Sequence, residues 1–193
     1  TTLNTRLQKV YSPRIGAISK LRHVLEPELV YKFTPEKEQE QLPRFDSHDR
    51  IADVNRLEYA LVQRLTARFE QTGQEPWYRE MLYLRLSQAY DLRDAAAGER
   101  FGAIRAELDL RPLSWLSLNS DTSYEVDSGE WSKLALELGL HEQRGNRMRV
   151  EYRYDRDQEV DYGVVDLSLA YLKPVYVKYQ QRYDFSEQER LEQ

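Results

Sequence analysis

The chain has 193 residues, 40% of them hydrophobic and 32% charged, which excludes a low-complexity or disordered chain. A formal charge of -5 and a pI near 5.4 offer no basic surface for nucleic acid, and the absence of cysteine removes disulfides, thiolate chemistry and cysteine–zinc sites. No apolar run approaches the ~20 residues of a membrane helix, but a mean hydropathy of -0.78 still admits a membrane barrel, because half of each strand faces water and cancels the lipid-facing half.

The opening residues, TTLNTRLQKVYS, lack an apolar signal-peptide core, so any export signal is expected outside this sequence. From His23 to Phe33 the residues His23, Leu25, Pro27, Leu29, Tyr31 and Phe33 share a face opposite Glu26, Glu28 and Lys32. Pro27 costs a ladder bond and predicts a bulge or a local irregularity. Thr34 to Asp53 is polar and carries the charge run PEKEQEQ, which reads as the longest loop with a solvated face.

Alternation resumes at Leu57 to Phe69, pauses at the turn QTGQEP, and returns from Tyr78 to Leu92, where Leu82, Leu84, Leu86 and Tyr90 oppose Arg85, Ser87 and Asp91. RDAAAGER is a second long loop. In GAIRAELDLR, Gly102, Ile104, Ala106, Leu108 and Leu110 lie opposite Ala103, Arg105, Glu107, Asp109 and Arg111. The pattern recurs at Leu116 to Val126, at Leu134 to Leu140 and at Met148 to Tyr154 against Arg149, Glu151 and Arg153. Two last segments, Tyr162 to Leu172 and Val175 to Phe185, flank Lys173-Pro174, and the tail SEQERLEQ reads as a polar turn.

The predicted strands are therefore roughly 22–34, 55–70, 78–92, 102–111, 116–127, 132–141, 147–157, 162–172 and 175–185. A helix would scatter Leu134, Leu136, Leu138 and Leu140 around its circumference, so period two prevails and helix stays open only at the termini. The hairpin order predicts an all-β, antiparallel up-and-down meander. Several segments are about twice the ~5–6 residues usual in soluble strands, and many of the 14 tyrosines, including Tyr78, Tyr162, Tyr171 and Tyr176, stand near strand ends. Both long loops fall on one side, as in outer-membrane barrels with short periplasmic turns. The competing reading is a soluble β-sandwich, which alternates in the same way.

Catalytic chemistry finds little support. Asp46, Ser47, His48 and Asp49 are adjacent in FDSHDR, where turn-forming residues explain them better than a catalytic constellation, whose members converge from separate segments. His23, His48 and His141 have no metal-ligand spacing, and there is no phosphate-binding glycine loop or nucleophile elbow. The expectation is a non-enzymatic protein without cofactor or metal.

Two passages carry a resemblance. RHVLEPELVYKFTP supplies Arg22, His23, Leu25, Glu26 and Pro27, and FDSHDRIADVNRLEYALVQRLTARF supplies Asp46, Ser47, Asp49, Arg50, Ile51 and Asn55. Together they resemble the barrel domain of the LptD family, the lipopolysaccharide-assembly or organic-solvent-tolerance proteins of the Gram-negative outer membrane. The family's cysteines and its amino-terminal jellyroll have no counterpart in these residues.

The resemblance implies that residues 1–193 are part of one large transmembrane β-barrel in the cell outer membrane, from its carboxy-terminal half and cut before its last strands. It also implies translocation of lipopolysaccharide into the outer leaflet through a lumen and a lateral opening. The implied partners are lipopolysaccharide, an LptE-like plug lipoprotein and a periplasmic lipopolysaccharide-transport bridge. On this reading Arg105, Glu107, Asp109, Arg149, Glu151 and Arg153 face the lumen. Other functions to be weighed are a porin-like channel and a soluble β-sheet binding module.

Overall fold

The computed structural model describes residues 1–13, 15–37, 52–93, 100–172, 175–186 and 189–192. Twelve strands follow one another: β1 (Thr2–Asn4), β2 (Leu7–Tyr11), β3 (Ile18–Thr34), β4 (Val54–Phe69), β5 (Trp77–Asp91), β6 (Ile104–Leu113), β7 (Leu116–Glu125), β8 (Glu130–His141), β9 (Arg147–Asp155), β10 (Val160–Leu172), β11 (Val175–Asp184) and β12 (Glu189–Glu192). They form a single antiparallel sheet in which β3 to β12 pair in chain order and β1 and β2 both pair with β3. The expected all-β meander is the observed fold, and no helix occurs among the described residues, at the termini or elsewhere. Residues 2–11, whose alternation the sequence reading passed over, form the strand outside β3.

β1 and β2 keep one register against β3, from Thr2↔Val30 to Asn4↔Glu28 and on through Leu7↔Leu25 to Tyr11↔Leu21. The interruption falls opposite Pro27, which has no N–H to give. No bulge occurs there, and the β3–β4 register runs unbroken from Lys20↔Arg68 to Thr34↔Val54. The proline therefore disturbs only the edge ladder, as the expectation of a local irregularity allowed.

True bulges lie elsewhere. Between Leu65↔Leu82 and Thr66↔Glu80, β5 has one extra residue, Met81, and between Thr122↔Leu134 and Tyr124↔Trp131, β8 has one extra residue, Ser132. Each reverses which side chains face which way along its strand. The hairpin at DSGE closes through Gly129, whose φ of 70° suits a residue without a Cβ.

Cross-strand pairs share a face, so the register sorts the whole sheet. One face is apolar: a row such as Leu82, Leu110, Leu118, Leu138, Val150 and Val165 crosses six strands. The other is charged along its length. Over the middle of the sheet burial is inverted relative to a soluble core: on the charged face Val24 and Val62 are 4% and 3% exposed, while on the apolar face Leu86, Leu136 and Leu138 are 37–39% exposed, and Ala67 and Phe69 are buried there only beneath Arg79 and Trp77. Long charged side chains cover the valines; nothing covers the leucines. Every strand contacts only its ladder neighbours, so the described residues contain no second layer of the kind a sandwich requires. The outermost strands, β1–β2 and β12, do not meet one another, and the sheet is open.

Candidate functional site: the charged face and the apolar belt

Aromatic side chains border the apolar face. On the side of the long connections Tyr31 stacks on Phe33, and Tyr90 with Phe101, Tyr124 with Trp131 and Tyr152 with Phe185 meet edge to face. On the side of the short turns Phe69 and Trp77 stack with centroids 4.0 Å apart. Between the borders the face is leucine-rich: β8 presents Leu134, Leu136, Leu138 and Leu140 beyond Trp131. Trp131 to Leu140 rises about 30 Å along the strand, and at a tilt of ~40° this becomes roughly 23 Å, close to the ~25 Å apolar band of membrane barrels.

The charged face is knit by ion pairs within strands and across them. Glu26 takes Arg6 at 2.6 Å and Arg64 at 3.6 Å, Arg85 takes Glu28 at 2.8 Å, and Glu58 is held by Lys32 at 2.8 Å and Arg56 at 2.5 Å. Further along, Lys133 meets Asp121 at 2.5 Å and Arg111 meets Asp109 at 2.8 Å. Arg149 is a hub: it pairs with Asp166 and lies 3.8 Å from Glu137 and 4.0 Å from Glu151, which also accepts from Arg153 at 2.5 Å. Most of these groups are partly exposed, so each pair contributes little stability alone; together they keep the face hydrated and nearly neutral.

The sequence-derived residues distribute as follows. Arg105, Glu107 and Asp109 in β6 and Arg149, Glu151 and Arg153 in β9 occupy one face, joined through Asp121, Asn119, Ala135 and Glu137 of the intervening strands. Arg105 and Glu107 take part in no ion pair among the described residues. Arg105 lines a concavity of about 460 Å³ with Lys32, Arg56, Arg85, Glu28 and Glu58, in which cations outnumber carboxylates. Of the motif residues, Arg22 and Glu26 lie on the charged face of β3, whereas His23, Leu25 and Pro27 lie on its apolar face. Asn55, in β4, accepts a hydrogen bond from the Tyr31 hydroxyl at 3.0 Å. Asp46, Ser47, Asp49, Arg50 and Ile51, with His48, lie outside the described residues. No cluster of three metal-ligating side chains occurs among the described residues.

Sequence reasoning missed Arg6, because residues 2–11 were not recognised as part of the sheet, and it did not count Arg56, Arg64 and Arg85 among its candidates, although the register brings them to Glu58, Glu26 and Glu28 on the charged face. It also missed a clamp beyond the aromatic border. Arg93 donates to Asp91 at 3.0 Å and to the Asp53 carbonyl at 3.2 Å, tying the end of β5 to the start of β4. The Asp91 carboxylate raises the Arg93 guanidinium above its already high range.

An uncovered apolar belt with aromatic borders on one face, and a hydrated, charge-compensated surface on the other, define a wall segment of a transmembrane β-barrel. The LptD family model, described as LPS transport system D, matches residues 10–182, and the chain belongs to that family. No curated protein matches the chain. Membership places it among transport and assembly proteins for lipopolysaccharide at the outer membrane.

Proposed function

We propose that residues 1–193 are part of a single barrel domain in the cell outer membrane that passes lipopolysaccharide to the outer leaflet by transfer, without bond chemistry. The observation that carries this reading is the pairing of an uncovered apolar belt with a hydrated charged face in a chain of the LptD family. Acyl chains move into the membrane at a lateral opening between strands, while the sugar-phosphate head group passes the polar side. The long connections lie at the outer surface and the short turns in the periplasm.

On this reading Arg105, Glu107, Asp109, Arg149, Glu151 and Arg153 face the lumen, where they meet the head group or a plug lipoprotein of the LptE type; a periplasmic bridge delivers the lipid. A concavity in which cations outnumber carboxylates, with Arg105 outside any ion pair among the described residues, suits phosphate and carboxylate on a passing glycan. Photo-crosslinkers at the six positions in the full-length protein, in cells, test it. Capture of the plug protein or of lipopolysaccharide is expected; capture of bilayer phospholipid alone would reverse the face assignment.

A further inference from the structure

We infer that Arg79, with Trp77 and Phe69, forms a seat on the outside of the wall for the phosphodiester of a bilayer glycerophospholipid. The inference rests on the barrel reading above. The extra residue Met81 turns the beginning of β5 over, so that Thr66 pairs with Glu80 and Ala67 with Arg79, and Arg79 emerges on the apolar face beside Trp77. Without the bulge, Glu80 would stand there and Arg79 would join the charged face. The other arginines in strands with described side chains lie on the charged face, so Arg79 stands apart.

Its surroundings hold the guanidinium without neutralising it. Cζ lies 4.9 Å from the Phe69 ring and 5.9 Å from the Trp77 ring, which are themselves stacked. One terminal nitrogen donates to the Pro112 carbonyl at 3.2 Å, across the strand boundary. No carboxylate pairs with Arg79 among the described residues, and its Nε is buried without an acceptor. A guanidinium has five N–H groups in a planar fork, and the hydrogen bond to Pro112 uses one.

The height of the site selects the ligand. Phe69 and Trp77 form the aromatic border at the short turns, which is the level of the polar head groups, and Leu82, Leu84 and Leu86 continue from Arg79 toward mid-membrane. An unpaired cation at that level, above an apolar stripe, is complementary to an anionic phosphate with acyl chains running along the leucines. A free phosphate ion would gain nothing from the stripe. In the proposed orientation the ligand is a phospholipid of the periplasmic leaflet.

The test is native mass spectrometry of the full-length barrel released from micelles containing either palmitoyl-oleoyl phosphatidylglycerol or a phosphate-free diacylglycerol glucoside. Unmutated protein should retain one phosphatidylglycerol and no glucoside. Arg79→Gln should lower retention by about tenfold, the value of a charge-assisted pair, and Arg79→Lys, a point charge without the fork, by roughly threefold. Equal retention of the two lipids, equal retention by Arg79→Gln, or selective retention of lipid A alone would overturn the inference. The two-lipid comparison needs no variant, so it decides even if Arg79→Gln fails to fold. Heat-modifiable gel mobility and fractionation with the outer membrane test the barrel reading separately; if these hold and phosphate selectivity is absent, only the seat is wrong.

Discussion

The Thr5 N–H donates to the Pro27 carbonyl at 3.3 Å, and Pro27 has no N–H with which to answer. In an antiparallel ladder a residue's two backbone groups point to the same neighbour, so the missing donor faces the edge strand and the β3–β4 ladder is spared. Pro27→Val should therefore strengthen only the attachment of residues 2–11. One restored backbone bond is worth ~0.5–1.5 kcal/mol, which predicts roughly two- to twelvefold slower amide hydrogen exchange around Thr5. Unchanged exchange there would mean that something other than the proline loosens the edge.

The two faces of β8 should respond oppositely to charge. Leu136 lies on the apolar face between Ser120 and Tyr152, and Ala135 on the charged face between Asp121 and Arg153. In vesicles, Leu136→Arg is expected to cost ~2–4 kcal/mol of unfolding free energy, while Ala135→Arg should change it by less than about 0.5 kcal/mol. Urea titration of the refolded barrel measures both. Equal losses would argue against a lipid-facing side.

Arg149 should matter less than its number of partners implies. It compensates Asp166, Glu137 and Glu151 but is itself nearly half exposed. Arg149→Ala is predicted to destabilise by no more than about 1 kcal/mol, and the difference from the unmutated protein should shrink as salt screens the pairs. Urea midpoints at low and high sodium chloride check the sign; a deficit that grows with salt would contradict it.

Gly163 makes room for a ring. A Cβ there would lie 3.3 Å from Phe185, which meets Tyr152 and Tyr183 edge to face at centroid distances of 5.9 and 5.0 Å. Gly163→Val should displace Phe185 and lose about 0.5–1.5 kcal/mol for each ring pair broken. In a Phe185→Ala background the same substitution should cost much less, which a double-mutant cycle reads directly.

Sheet class, hairpin order and the two faces were legible because period two repeats in nearly every segment: Leu134 to Leu140 and Met148 to Tyr154 hold their alternation in the structure. What escaped the sequence were the breaks in that period. Nothing local marks Met81 or Ser132 as an extra residue, since a bulge is defined by the partner strand as much as by its own. Arg79 was illegible for that reason. The ion pairs were legible in type but not in partner, because register selects Glu28 for Arg85 and Asp166 for Arg149 from many carboxylates. Residues 2–11 were hidden by a different cause: Thr, Asn, Gln and Lys alternate weakly with Leu and Val, and only the ladder to β3 makes them a strand.

The nearest-neighbour character of the contacts bears on how such a wall is made. Because β3 to β12 each touch only the strands before and after, closing each contact costs the entropy of a short loop rather than of a long excursion, except across the connections from β3 to β4 and from β5 to β6. The wall can therefore grow as a zipper, hairpin by hairpin. Each new hairpin leaves a fresh unpaired edge as the template for the next, so the advancing end is both the growth front and the part most in need of protection from foreign strands until its own partner arrives.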